Sequence, residues 1–231
     1  MQLFNKPVVA PQTLRVLAHL LSYPAAGLCA HLPELRAALA GERALSPARL
    51  AELDALMQSL ARRAALDVEA DYVELFDRGR STSLHLFEHV HGDSRERGPA
   101  MIDLAQTYEK AGLYLMDGEM PDYLPVALEF TSTQPPREAR AFLSEMAHIL
   151  NAIFAALQQR RSPYASVLGA LLELAGASAQ PVKVVADEAL DDLWQEPLAF
   201  DGCSSKGQAA PGQPQPIHMV RKPRPVEGAS A

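Results

Sequence analysis

The sequence predicts an all-α fold, organised as a single-domain helical bundle. Apolar side chains recur at intervals of three and four residues along most of the chain, which is the spacing of one face of an α-helix. Proline and glycine lie between the periodic segments, where they end one helix and begin the next. No segment shows the alternation of a strand, and no repeat of about 30 to 45 residues indicates a solenoid.

The chain divides by composition into three parts. Residues 1–11 form a short N-terminal extension, residues 12–200 carry the helical pattern, and residues 201–231 are rich in proline and glycine. A segment of this last composition has too little apolar surface to offset the entropy that it loses on ordering. We therefore expect a helical domain over residues 12–200, followed by a disordered tail.

Charge is distributed unevenly along the chain. The formal net charge is −7 at pH 7, although residues 203–231 contain four basic side chains and one acidic side chain. The helical part is therefore acidic, which disfavours nucleic acid and anionic membranes as partners, because both require clustered lysine and arginine. An acidic body instead favours a basic partner.

Cysteine usage and hydropathy indicate the cellular compartment of the protein. Cys29 and Cys203 are far apart and have no neighbouring metal-ligand spacing, so neither a disulfide framework nor a structural zinc site is predicted. The sequence lacks a run of about 20 apolar residues, and its first residues lack the charged start and cleavage site of a signal peptide. These features lead us to expect a cytoplasmic protein.

We interpret the first three predicted helices as the structural scaffold of the domain. They cover residues 13–22, 28–40 and 46–63. The third has the clearest start, because Ser46 can cap its N-terminus and Pro47 suits the first helical position.

The helical pattern continues through the rest of the chain. Most of its boundaries rest on glycine or proline, which rarely continue a helix. The expected helices cover residues 67–77, 83–91, 98–116, 126–131, 137–160 and 162–175, with two further turns at 187–194.

Histidine and aromatic side chains are concentrated in residues 72–108. Here His85, Glu88 and His89 match the HxxEH pattern of zinc peptidases, which sets two histidines four residues apart on one helical face. A zinc-dependent hydrolase would also need a third protein ligand further along the chain. In the alternative interpretation, which we favour, His85, His89 and His91 lie near a helix C-terminus and bond its last carbonyl groups.

Two loops in the same region combine arginine with acidic residues. They contain residues 77–80 and 92–98, and glycine lies in or beside each. One interpretation is a fixed network of guanidinium and carboxylate groups that pins helices around a groove. The other is a pair of solvated connectors, with local ion pairs worth less than about 1 kcal/mol each. The pattern leaves both open.

The run YVELFDRGRSTSLHLFEHVHGDSRERGPAMIDLAQTYEKAGL, which begins at Tyr72, resembles a known family. It is similar to the signature region of the nitrate reductase molybdenum cofactor assembly chaperones, the NarJ or delta subunit family. The segment GDSRERG with the preceding LFEHVHG is the most specific part. The resemblance extends to residues 119–130, 160–164 and 193–197, and so covers roughly residues 12–200.

This resemblance implies a non-enzymatic helical chaperone without a cofactor of its own, similar to the chaperones of twin-arginine-exported redox enzymes. Such proteins bind the N-terminal peptide of the catalytic, or alpha, subunit of respiratory nitrate reductase in the cytoplasm. They keep the apoenzyme competent for insertion of the molybdenum cofactor and delay membrane docking until then. Proteins that deliver the molybdenum cofactor are further expected partners, whereas nucleic acid binding and stable membrane insertion are not expected.

The related export chaperones carry a Glu-Pro-Asp-His type motif at the peptide site, and residues 119–123 are the matching segment here. The segment departs from that motif, because Met120 is inserted and Tyr123 stands where the motif has histidine. The same residues are consistent with a proline-kinked loop in which Asp122 caps the next helix.

The expected peptide site combines this segment with the central run. A basic amphipathic helix would place its apolar face in a helix-lined groove and its charges against an acidic rim. If His89 or His91 lines the groove beside Glu88 or Asp93, affinity should vary between about pH 5 and 8. The full set of expected contact residues is Tyr72, Phe76, Arg80, Glu88, His89, His91, Asp93, Arg95, Arg97, Glu119, Pro121, Asp122 and Tyr123.

Overall fold

The structure, a computed structural model, describes residues 10–25, 27–92 and 94–180. Over these residues the fold is all-α, as predicted, and contains ten α-helices and one isolated antiparallel bridge between His85 and Tyr123. The helices are α1 Pro11–Leu21, α2 Leu28–Glu42, α3 Pro47–Ala61, α4 Ala65–Tyr72, α5 Leu86–Val90, α6 Arg97–Lys110, α7 Leu124–Thr133, α8 Pro136–Glu145, α9 Ala147–Gln159 and α10 Ala165–Ala175.

Helix α1 lies at the centre of one half of the core. Leu14, Leu17 and Leu21 follow helical spacing and are buried, and the helix packs most extensively against α7 and also against α2 and α10. Arg15 and His19, four residues apart, are left exposed on a common face. The same helix therefore contributes to the core and to the surface that faces α2.

Helix α10 organises the other half of the core. Its residues from Ser166 to Leu172 are all buried, because it packs against α3, α8 and α9. A Cβ atom at Gly169 would meet the guanidinium of Arg49 on α3. The glycine therefore leaves room for the end of the Arg49 side chain against α10.

Most predicted boundaries are confirmed within a few residues. Ser46 caps α3 as expected, and its Oγ accepts a hydrogen bond from the backbone N–H of Arg49 at 3.4 Å. Helix α4 continues into a π-helical turn, Val73–Asp77, and ends where the sequence predicted. The turns expected at residues 187–194, the tail at 201–231 and all but the last two residues of the extension at 1–11 lie outside the described residues, and Pro11 already belongs to α1.

Three predicted helices differ in length. The expected helix 137–160 is two helices, α8 and α9, bent by 61° at Met146. Neither proline nor glycine is present at this bend. The bend lets both α8 and α9 pack against α10. The helix expected at 98–116 ends at Lys110, because Gly112 adopts a left-handed φ of 81°. The helix expected at 83–91 is present only over the five residues of α5, Leu86–Val90.

Over the described ranges, no single helix is long and apolar enough to cross a membrane. The pair α8 and α9 passes the same test of length and composition only when the two are taken together across their bend.

Candidate functional site

The segment before α5 and the segment before α7 meet through their backbones. The N–H of Leu86 donates to the carbonyl of Asp122 at 2.9 Å, and the N–H of Leu124 donates to the carbonyl of Leu84 at 2.8 Å. These two bonds form the antiparallel bridge that aligns His85 with Tyr123. We call this meeting point, residues 84–87 and 121–124, the junction.

The carboxylate of Asp122 is fully buried within the junction. One oxygen lies 3.2 Å from Nδ1 of His85, and the other accepts a hydrogen bond from the backbone N–H of Phe87 at 3.2 Å. Nη2 of Arg97 lies 3.7 Å from the second oxygen and 3.7 Å from Glu88. A carboxylate is costly to bury unless it is paired and hydrogen-bonded, and these groups supply both.

Asp122 therefore caps α5, whereas the loop interpretation expected it to cap α7. Phe87 is in the first turn of α5, where backbone N–H groups have no partner within the helix. Helix α7 begins after Tyr123, and no side chain caps it. The carboxylate ties together two segments that are distant in the sequence.

The carboxylate of Asp122 changes the pKa of the His85 imidazole. The hydrogen bond with Asp122 raises the pKa of His85 above its ordinary value, against an opposing effect of burial. The negative charges of Asp122 and Glu88 also raise the pKa, and the positive charge of Arg97 lowers it. The His85 ring also lies 5.4 Å from the ring of Tyr123.

The HxxEH residues do not form a zinc site in this arrangement. His85 precedes α5, and its Nδ1 faces Asp122, whereas Nε2 of His89 faces the carbonyl of Ser83 at 2.8 Å. Within the described ranges, no cluster of three histidine, cysteine, aspartate or glutamate side chains could hold a metal ion. The helix C-terminal interpretation is right about the position of His89 and His91, which lie in the last turn and at the end of α5, and wrong for His85, which precedes the helix. The carbonyl that His89 faces belongs to Ser83, before α5, and not to the last turn of the helix.

A groove of about 740 Å³ opens beside the segment that leads to α7. Its walls come from α1, α2, α7 and the connection between α6 and α7. The apolar lining includes Val16, Leu35, Val126 and Phe130. The lining residues with a charged or imidazole side chain are Arg15, His19, His31, Glu34, Glu119 and Glu129.

The connection between α6 and α7 forms one rim of the groove. Tyr108, at the end of α6, is buried and donates a hydrogen bond to the carbonyl of Pro121 at 2.9 Å. Glu119 accepts a hydrogen bond from the backbone N–H of Met116 at 2.8 Å. Tyr114 and Met116 are 78% and 74% exposed, so the rim presents unusually apolar side chains to solvent.

Among those expected contact residues that the structure describes, Glu119 alone lines this groove. Pro121 and Asp122 are buried behind the rim, Tyr123 is half-buried, and Tyr72 and Phe76 lie in the core. Glu88, His89, His91 and Arg97 are half-buried around α5, Arg80 and Arg95 are exposed, and Asp93 lies outside the described residues.

The structure also brings together groove residues that sequence reasoning missed. They come from α1, α2 and α7, and no short motif connects them. The available signal was the pair Arg15 and His19, which stand four residues apart in a helix whose other residues from Thr13 to Leu21 are buried. Polar residues at that spacing mark the one face of α1 that the core leaves free.

Comparison with known proteins decides the family. Residues 24–169 match the family described as nitrate reductase delta subunit. This chain belongs to that family. It is 44% identical over 211 residues to the nitrate reductase molybdenum cofactor assembly chaperone NarJ of Escherichia coli K12, an overlap of 85% of this chain and 89% of the relative.

A solved structure from Archaeoglobus fulgidus has a similar fold. It is described as a candidate redox enzyme maturation protein, and it matches 75% of this chain and 98% of its own with a TM-score of 0.50. The sequence identity is 21%, so this likeness concerns the fold alone.

Proposed function

We propose that this chain is an assembly chaperone for a respiratory nitrate reductase. It binds the N-terminal peptide of the catalytic subunit in the cytoplasm and keeps the apoenzyme competent for molybdenum cofactor insertion before membrane docking. Proteins that deliver the cofactor are its further partners. The observation that supports the proposal is the groove between α1, α2 and α7, in a chain whose E. coli relative is named as such a chaperone.

The shape and lining of the groove suit an amphipathic helix. Its volume lies in the range of specific binding sites, and its apolar residues come from three helices that can contact successive turns of a partner helix. A partner helix would bury its apolar face against Val16, Leu35 and Phe130. The exposed Tyr114 and Met116 extend the apolar surface along the rim.

The charges of the groove favour a basic peptide. Glu34, Glu119 and Glu129 line it, and Arg15 is its single lysine or arginine among the described residues. Such an imbalance attracts positively charged side chains and raises the rate of association. Long basic residues can also lay their apolar stems along the groove while their charges reach the carboxylates.

Calorimetry with the N-terminal peptide of the cognate catalytic subunit tests the proposal. Wild-type protein should bind the peptide with saturation at micromolar concentration. Val126→Arg, which places a charge in the apolar lining, should weaken binding by at least about tenfold, because a buried unpaired charge is costly. Leu66→Arg is the matched control, since Leu66 is 78% exposed on α4 and outside the groove. Absence of saturable binding, or equal losses in both variants, would contradict the proposal.

A second pair of variants tests the acidic lining. Glu129→Gln should weaken binding and reduce its salt dependence, because an attractive charge is removed. Glu138→Gln removes the same charge from the exposed first turn of α8, outside the groove, and should leave binding unchanged.

The residues around α5 form a second proposed contact surface. Glu88, His89, His91 and Arg97 lie there, and the expected dependence of affinity on pH between about 5 and 8 belongs to its histidines. His91→Gln should make the affinity less dependent on pH if a partner contacts this surface. The same pH profile in wild type and variant would remove His91 from the contact, since His89 remains in the variant and His19 and His31 line the groove.

Co-purification tests the role in assembly. Cells that make the catalytic subunit should yield a complex with this chain, and removal of the subunit's N-terminal peptide should abolish it. A complex that persists without the peptide, at unchanged yield, would point to a different contact.

A further inference from the structure

The groove between α1, α2 and α7 contains one guanidinium group among its carboxylates. Over the part of the chain that the structure describes, Arg15 on α1 is the single lysine or arginine that lines the groove, and it is exposed. Three glutamates, Glu34, Glu119 and Glu129, line the same groove. The electrostatic demand on a bound partner therefore changes sign at the position of Arg15.

The hydroxyl group of Ser132 binds one edge of this guanidinium group. Nε of Arg15 donates a hydrogen bond to Oγ of Ser132 at 3.2 Å. Ser132 is 7% exposed, and its hydroxyl donates in turn to the carbonyl of Glu129 at 2.7 Å on the same helix, α7. Because its one proton is used in this way, the hydroxyl accepts from Arg15. The bond restricts the orientation of the guanidinium plane.

The other edge of the guanidinium group is available to a ligand. Among the residues whose positions the structure gives, the two terminal nitrogens of Arg15 have neither a hydrogen-bond partner nor an ion-pair partner. Their N–H groups can bind the two oxygens of one carboxylate side by side. Arg15 can therefore accept an incoming carboxylate without breaking an ion pair of its own.

A partner that covers the groove would remove water from Arg15. The apolar residues Val16 and Phe130 line the same groove, so a helix that packs its apolar face on them also covers the guanidinium group. A charge that loses its water is costly unless a counter-charge replaces it. An entirely basic helix would leave Arg15 unpaired or place a second positive charge beside it. A single carboxylate at this position avoids both costs.

We propose that the peptide bound in the groove is a basic amphipathic helix with one aspartate or glutamate that pairs with Arg15. This inference rests on the proposed function, because it concerns the same groove and the same peptide. Arg15 selects the charge pattern of the peptide, and Ser132 is a positioning residue that acts through Arg15.

The spacing of groove residues predicts where the acidic residue lies in the peptide. Ser132 follows Glu129 by three residues, which is a rise of about 4.5 Å along α7. In a partner helix that lies along α7, the acidic residue is therefore three or four positions from a basic residue that faces Glu129.

Calorimetry with the N-terminal peptide of the cognate catalytic subunit tests the inference. The peptide is amidated at its C-terminus, so that its terminal carboxylate cannot bind Arg15. Each aspartate is replaced in turn by asparagine, and each glutamate by glutamine. One replacement should weaken binding to the wild-type chain by about five- to tenfold, because it removes a charged hydrogen-bonded pair. A bound peptide that has no acidic residue, or that loses no affinity on any replacement, would overturn the inference.

A double-mutant cycle assigns this effect to Arg15. Arg15→Gln should weaken binding of the unmodified peptide by a similar factor, and the decisive peptide replacement should then be nearly neutral, because the pair is already broken. Arg15→Glu should prefer a peptide with lysine at that position to the unmodified peptide. Tighter binding of the unmodified peptide by Arg15→Gln would overturn the inference, because it would show that Arg15 only repels the basic helix.

Two further variants separate recognition from general effects of charge and structure. Ser132→Ala keeps the charge of Arg15 but removes its anchor, so it should reduce the coupling between Arg15 and the acidic residue. Arg137→Gln removes the same charge from an exposed position on α8, outside the groove, and should bind both peptides like wild type. Equal losses in Arg15→Gln and Arg137→Gln would overturn the inference.

The same measurements distinguish a failure of this inference from a failure of the proposed function. If the wild-type chain binds the peptide with saturation but the cycle shows no coupling, the charge pairing with Arg15 is wrong and the peptide site stands. If the wild-type chain does not bind the peptide, both are wrong.

Discussion

The hydroxyl group of Tyr72, in the core, lies 3.0 Å from the hydroxyl group of Tyr123, in the junction. Tyr72 donates to the carbonyl of Leu21 at 2.7 Å, and the hydroxyl of Tyr123 lies farther from the same carbonyl, at 3.5 Å. When Tyr72 makes the shorter bond, the hydrogen bond between the two tyrosines uses the proton of Tyr123. Leu21 is the last residue of α1, where a carbonyl group lacks a partner within the helix. The chain of two hydroxyls therefore ties the end of α1 to α4 and to the start of α7.

The order of donors predicts unequal effects of the two phenylalanine substitutions. Tyr72→Phe should cost about 1–3 kcal/mol, because it leaves the Leu21 carbonyl and the Tyr123 hydroxyl without their main partner. Tyr123→Phe should cost less, since Tyr72 still bonds Leu21. Urea unfolding of both variants measures the difference. Equal costs would show that Tyr123 holds the carbonyl as strongly as Tyr72 does.

The buried carboxylate of Asp122 predicts that two substitutions at this position differ in their cost to stability. Asp122→Ala should cost about 2–4 kcal/mol, because the N–H of Phe87 loses its acceptor and Arg97 loses a partner. Asp122→Asn should cost less, because the amide oxygen can still accept from Phe87. A double-mutant cycle with Arg97→Gln would isolate the ionic part. No coupling in that cycle would remove Arg97 from the network.

The raised pKa of His85 predicts how stability depends on pH. The folded protein holds this proton more tightly than the unfolded chain, whose histidine pKa is about 6.5. The contribution is therefore fully present below about pH 6.5 and is lost as pH rises through the folded-state pKa. The difference in unfolding free energy between wild type and His85→Gln should shrink over that range.

Asp122→Asn provides the control for this pH effect, because Asp122 is the main cause of the raised pKa. In that background, His85→Gln should change stability by an amount that depends much less on pH. Urea titrations at matched pH values give both differences. A wild-type difference that grows as pH rises would refute the assignment.

Alanine substitutions at two glycines should change the stability of the protein in opposite directions. A Cβ atom at Gly79 would lie 2.5 Å from the carbonyl oxygen of Leu75, a backbone atom that cannot easily move. Gly79→Ala should therefore destabilise the protein by about 1–3 kcal/mol. Gly41 lies inside α2, where a Cβ atom would meet no other atom within 4 Å, so Gly41→Ala should stabilise the protein by about 0.5–1 kcal/mol. Thermal unfolding compares the pair.

The helices and their caps were predictable wherever local chemistry decides them. Ser46 and Pro47 mark the start of α3 in the sequence, and the structure confirms both positions. The bend at Met146 was not predictable, because residues 136–159 carry a continuous helical pattern and the break depends on packing against α10. The early end of α6 had a signal, Gly112, whose left-handed φ ends the helix.

The candidate site was predictable only in part. Sequence reasoning selected residues 119–123, and Glu119 lines the groove. It also selected Tyr72 and Phe76, which the structure buries in the core. Aromatic residues four apart on a helix form the same pattern whether the face meets a core or a ligand. Nothing in the local sequence separates these two outcomes.

By itself the sequence determined the helical class, the acidic character of the body and, through the run that begins at Tyr72, the family. These properties depend on neighbours along the chain and on composition. The tertiary structure decided which residues line the groove, and it decided that Asp122 caps a helix 35 residues earlier in the chain. Such contacts join segments that no local pattern connects, so they exist only after the helices have packed.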